Sequence, residues 1–198
     1  MKKKIVISVL AVCLMVAWIV RFIDVNRKTK DAEIRHYDVG EVVAIEDNYF
    51  VHSTENMNGY EVIVNSARVM DYGEYLKKYG LTEKDVQDRY PPDKVYDVHI
   101  TLRNIDNTTG GIYLPNWILQ GVDQYTSINL ELYRLVNPEA NGVIAVALRP
   151  GTEMDFYLPF DLREYHYNKR TWKNIDNYPI SLVVSKYPVK KMIDIVKR

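Results

Sequence analysis

At 198 residues, with 26 basic side chains balanced by 26 acidic ones, the chain has room for one domain of ordinary size plus an appendage, and its charge argues against nucleic-acid binding by bulk attraction. A hydrophobic fraction of 47% excludes wholesale disorder. The sole cysteine, Cys13, lies in the most apolar stretch, so the body has no thiol for a disulfide, a zinc ribbon, an iron-sulfur cluster or a thiol nucleophile.

Residues 5–20 carry no charge, and Phe22 and Ile23 extend the apolar run past Arg21. As a helix, residues 5–23 would span about 28 Å, close to a hydrocarbon core of roughly 30 Å. Trp18 stands near one end, and Lys2, Lys3, Lys4 and Arg21 can snorkel to the interfaces. Signal cleavage needs small residues that the sequence does not supply, and lipidation of Cys13 would need a small residue where Val12 stands. The run therefore reads as an uncleaved, single-pass anchor over residues 1–23, contacting the membrane through residues 5–23. The leading lysines favour a cytoplasmic amino terminus and an extracellular body, against an opposing cluster at Arg27, Lys28, Lys30 and Arg35. Residues 24–37 are charged and without apolar period, and read as a juxtamembrane spacer before a domain at 38–198.

Short strands follow at 40–45 and 48–51, then the turn dipeptide Asn58-Gly59 and a long strand at 60–70 whose alternation slips near Ser66, where a bulge is expected. Residues 71–92 break the pattern. Thr82 followed by Asp85 resembles a capping box, and Pro91-Pro92 forbids continuation, so a short helical insertion is predicted over 82–88. The clearest strand is 95–104: Tyr96, Val98, Ile100 and Leu102 alternate with Asp97, His99, Thr101 and Arg103, placing one set in a core and the other in water. Further strands are expected at 112–114, 117–119, 128–133, 143–148 and 154–158, with the last at 180–185 before a basic tail. Strands with turn signals roughly every ten residues, and no alternating helices, indicate an all-β antiparallel sandwich.

No P-loop, dinucleotide glycine pattern or Gly-x-Ser-x-Gly elbow occurs. His36, His52, His99 and His166 read as solvent-facing or locally bonded. Asp106-Asn107 looks faintly like a calcium loop without its closing acid, and Asn107-Thr108-Thr109 fits a glycosylation sequon. No cofactor is implied. The most suggestive stretch is 164–172: Tyr165 and Tyr167 would share a strand face, and with Lys169, Arg170 and Trp172 they make a candidate patch for a ligand or partner.

The run Gly40-Glu41-Val42-Val43, the alternating strand from Tyr60 to Val69, the strand ending in Asn104, the Pro150-Gly151 turn leading to Phe160, and the strand from Ile180 to Val184 together resemble a known group. The chain resembles, over residues 38–187, the immunoglobulin-like domains of unknown function on membrane-anchored or lipoprotein ectodomains of Gram-positive bacteria. The resemblance implies an immunoglobulin-like sandwich with no assigned catalytic residues, and the short helical insertion within residues 71–92 departs from its simplest form. The expectation is a non-enzymatic binding or structural module of the cell envelope with a protein or envelope partner. The alternative is capture of a small solute or glycan on the aromatic surface from Tyr165 to Trp172.

Overall fold

Tyr96 and Ile100, the residues on which the expected strand turns, are both sealed from solvent. The computed structural model describes residues 2–28, 32–87 and 90–197, and divides into two units, Met1–Ala32 and Glu33–Arg198. Thr29, Lys30 and Asp31 of the expected spacer, Asp88 at the end of the expected insertion, and the terminal Met1 and Arg198 lie outside the described residues.

The first unit is one helix, α1 (Lys2–Lys28). Its stretch Lys3–Arg27 is long and apolar enough to cross a membrane, as a single-pass anchor or a signal sequence would be. The helix runs past the expected boundary at residue 23, since nothing in Asp24, Val25, Asn26 and Arg27 opposes helical backbone.

In the second unit the strands are β1 (Glu33–Asp38), β2 (Val43–Ala44), β3 (Tyr60–Asp71), β4 (Lys94–Asn104), β5 (Ile112–Tyr113), β6 (Ile118–Gln120), β7 (Tyr125–Ser127), β8 (Ala145–Val146), β9 (Thr152–Leu162), β10 (Ile180–Ser185) and β11 (Val189–Val196). Among the described residues three short α-helices join them, α2 (Tyr72–Lys78), α3 (Leu130–Val136) and α4 (Lys169–Lys173), along with short 3-10 turns. Among the described residues the sheets run β1-β11-β10-β6-β7 and β2-β3-β4-β9, with a small β5-β8 ribbon. One core draws on both large sheets: Val62, Val98, Ile100 and Phe156 from the four-stranded sheet, Leu119, Leu182 and Ile193 from the five-stranded one. Removing buried methylenes there, as in Leu102→Ala, costs about 2–5 kcal/mol.

The expected bulge near Ser66 is present as a register shift between Val64 and Ser66. Other expectations are corrected. The helix of the insertion is α2 at 72–78, not 82–88; Tyr72, Tyr75, Leu76 and Tyr79 fall on one face and help to close a second small core with Val95 and Leu132. Asp85 does accept from the Thr82 backbone N–H and hydroxyl, both at 2.7 Å, but it ties off a turn. The outer face of β4 is thus dry at one end, where Val95 and Asp97 lie buried, and not uniformly wet. Residues 130–136 are helical because the Asn129 side chain accepts from the N–H groups of Glu131 and Leu132 and starts a turn. Asn137 then covers the edge of β9, its amide donating to the Tyr157 carbonyl and its oxygen accepting from the Tyr157 N–H, each at 2.8 Å.

The largest difference concerns the two ends of the unit. Part of the expected spacer is β1, and the expected basic tail is β11, which lies between β1 and β10. The β1-β11 pair is parallel, with Glu33 opposite Val189 and Asp38 opposite Asp194, so the expected purely antiparallel arrangement does not hold. β11 evades an alternation test because Lys191 stands at a buried position, its ammonium donating to the Ala44 carbonyl and pairing with Glu46.

Candidate functional site

On the five-stranded sheet, strand pairing aligns one polar residue from each of four strands. Gln120 of β6 stands opposite Ser181 of β10, Ser181 opposite Asp194 of β11, and Asp194 opposite Asp38 of β1. At roughly 4.8 Å between neighbouring strands the row is about 14 Å long. Asp194 is its hub: it accepts from the Ser181 hydroxyl at 2.6 Å and from His36 Nδ1 at 2.9 Å. An ionised carboxylate only accepts, so the imidazole proton facing Asp194 sits on Nδ1. Cations close both ends of the row, Lys197 on Asp38 at 2.8 Å and Lys190 on Gln120 Oε1 at 2.6 Å.

These groups line a cleft of about 610 Å³ whose apolar wall includes Ile34, Pro179 and Met192. Lys190 reaches from β11 across β10 to β6, and Val183, in register between Ile118 and Met192, is fully buried beneath that crossing. Burial, and then the nearby Lys186 ammonium, hold the Lys190 pKa below its ordinary value. The Asp38 carboxylate raises that of Lys197.

Ser, His and Asp therefore meet here, but Asp194 stands in the middle. A hydrolytic triad needs the imidazole between hydroxyl and carboxylate, so that the ring takes the hydroxyl proton. In this arrangement both donors point at the same carboxylate, so the imidazole does not stand where it would take the hydroxyl proton.

The sequence-derived patch takes a different form from the one expected. Tyr165 and Tyr167 lie in and after a short 3-10 turn at Glu164–His166, not on a strand, and Lys169, Arg170 and Trp172 belong to α4. Tyr165 is 75% exposed and packs edge-on against His166. Tyr167 instead sits between Trp172 and Tyr178, with ring centroids 5.8 Å away on each side, and burial pushes its hydroxyl up to about 12. Trp172 and Tyr178 are likewise partly buried against the main core. The patch thus separates into packed rings and an exposed rim of Tyr165, Lys169 and Arg170.

Asn107 is buried as the keystone of its loop: its amide donates to the Asn58 carbonyl at 2.6 Å, and its oxygen accepts from the N–H groups of Thr109 and Gly110. Both amide atoms are occupied, so the sequon finds no free side chain there, and among the described residues no group of three or more His, Cys, Asp or Glu side chains gathers to hold a metal. His99 stacks on Tyr157 with centroids 4.6 Å apart, and His36 alone among the histidines joins the cleft. Sequence reasoning missed the row, because its members are brought together only by strand register.

A family model described as domain of unknown function matches residues 34–191, a range that includes every residue of the polar row except Asp194 and closes just inside β11. The chain belongs to the DUF5028 family. No curated protein and no solved structure matches it. Since the matched range begins at Ile34, the DUF5028 domain takes in nearly all of β1, which agrees with the pairing of that strand to β11.

Proposed function

We propose that the protein is a membrane-anchored, extracytoplasmic binding module, non-enzymatic, built as an immunoglobulin-like β-sandwich. The pairings β3-β4-β9 and β11-β10-β6 support that architecture: they repeat the A-B-E and G-F-C pairings of an immunoglobulin domain, with α3 where strand D would fall and β7 beside β6 as an additional strand. The helix α1, long and apolar enough for a bilayer, supports the tether.

The observation that carries the binding role is the cleft on the five-stranded sheet. Its polar groups are held by one another in a fixed row over an apolar wall, which is how a preorganised recognition surface is made. A partner of the cell envelope lying across the row would meet the Asp194 hub and two lysines. The wiring of Ser181 and His36 to one carboxylate favours binding over hydrolysis.

The test is co-purification of the full-length chain from cross-linked membranes, comparing wild type with Asp194→Ala and His36→Ala. Neighbours recovered with wild type and lost with both variants would support the cleft. Equal recovery from folded variants would remove it. Protease treatment of intact cells reads the orientation separately, and a body left uncut while a surface protein is digested would count against export.

A further inference from the structure

The polar row of the cleft runs across its strands, so its members repeat at the separation of neighbouring strands, about 4.8 Å. An extended polypeptide laid along the row would offer it a side chain only every second residue, about every 6.7 Å, and would fall out of step. Pyranose rings joined end to end advance by nearly the strand separation, and keep step. The groups left over after the internal bonds are of both kinds. Lys190 takes the Gln120 Oε1 and leaves the N–H groups of that amide, His36 spends Nδ1 on Asp194 and keeps its second ring nitrogen, and Asp38 keeps lone pairs beyond those facing Lys197. A hydroxyl gives and accepts at once, which suits a mixed row. The charges of the cleft nearly cancel: Asp38, Glu41 and Asp194 stand against Lys190, Lys197 and the His36 imidazole, so neither a cation nor an anion is favoured.

We propose that the cleft takes a neutral, linear oligosaccharide lying across β6, β10, β11 and β1. Its hydroxyls meet Gln120, Asp194, His36 and Asp38, and the C–H faces of its rings rest on Ile34, Pro179 and Met192. A row about 14 Å long spans about three such units. As the ligand of a recognition surface, the sugar rests on the binding role proposed above for the same cleft.

The experiment is calorimetric titration of the full chain in a polyoxyethylene detergent, whose head group carries no sugar, with cellohexaose, chitohexaose, glucose and hexagalacturonate. One of the two neutral hexamers should bind saturably, at least about tenfold more tightly than glucose, with an affinity that added salt does not change. Gln120→Ala and His36→Ala should each weaken it by up to about tenfold, the loss of one hydrogen bond, and Asp194→Ala, which releases both of its donors, should weaken it further. Trp172→Ala should bind as wild type does. No saturation with either neutral hexamer, or glucose binding as tightly, would overturn the assignment. So would hexagalacturonate binding more tightly in a salt-sensitive way, or a loss seen with Trp172→Ala and not with Gln120→Ala and His36→Ala. If Asp194→Ala does not fold, Gln120→Ala decides. Envelope partners lost with Asp194→Ala and His36→Ala, yet captured by wild type after periodate has oxidised their sugars, would be polypeptides and would sink the sugar alone. Hexamer binding with no envelope partner would sink the module reading alone.

Discussion

Lys191 offers an asymmetric test of how the two sheets are joined. Its residue is 1% exposed, and its ammonium is held by the Ala44 carbonyl at 2.6 Å and by Glu46, whose side chain is 57% exposed. Glu46→Ala leaves a buried ammonium with one carbonyl; breaking a fully buried pair costs about 3–5 kcal/mol, and the solvent at Glu46 reduces that to about 2–3 kcal/mol. Lys191→Met keeps the volume and removes the charge while Glu46 turns to water, so its cost should be below about 1 kcal/mol. The double variant should match Lys191→Met. Denaturant melts followed by circular dichroism measure all three at neutral pH. Should Lys191→Met prove as damaging as Glu46→Ala, the desolvation argument fails. The pH dependence follows from the same contact. Lys191 lowers the Glu46 pKa, first by hydrogen bonding and then by its charge. Its contribution is therefore present above the unfolded carboxylate value, near 4.3, and is lost as pH falls through the depressed folded one. Glu46→Gln should flatten that part of the stability profile.

Asp97 is 4% exposed and accepts from Lys78 at 2.6 Å and the Tyr79 hydroxyl at 2.7 Å, so Lys78→Ala, which leaves the buried carboxylate without a counter-charge and with the Tyr79 hydroxyl as its remaining donor, should cost about 2 kcal/mol. Asp97→Asn, which keeps a buried acceptor, should cost less in the same melts. A β-carbon at Gly110 would lie 1.8 Å from the Asn56 carbonyl oxygen, and Gly110→Ala should lower the thermal midpoint by several degrees, as differential scanning calorimetry would show. Asn107→Ala, which removes the keystone bonds of that loop, should destabilise by about 2–3 kcal/mol and open its amides to hydrogen exchange. Trp172→Ala tests the aromatic surface: if its role is packing against Tyr167, stability should fall by about 1–3 kcal/mol while envelope capture stays at the wild-type level.

The long strands were legible because their outward positions are polar and their inward ones are not. β4 announces itself through Tyr96, Val98, Ile100 and Leu102, and β9 through Phe156, Leu158 and Phe160. β1 carries no such contrast, since Glu33, Ile34, Arg35 and His36 are all exposed and Tyr37 is the one side chain of the strand that packs against the core. Residues 128–133 alternate like a strand, yet Asn129 supplies a cap and the buried set Leu132, Tyr133 and Val136 has helical spacing. α2 could have been found from Tyr72, Tyr75, Leu76 and Tyr79, a pattern eclipsed by the stronger-looking cap signal at Thr82. The cleft could not. His36 and Asp194 are 158 positions apart, and nothing short of the register between first and last strands puts them in contact.

That register also orders events in time. Among the described residues β1 pairs with β11 alone, and β11 follows it by some 150 residues, so residues 33–38 must wait unzipped until that later stretch has been made. Such late, distant pairing makes for slow maturation. A chain interrupted before Val189 would keep its hydrophobic helix yet lack both the partner of β1 and the hub of the cleft.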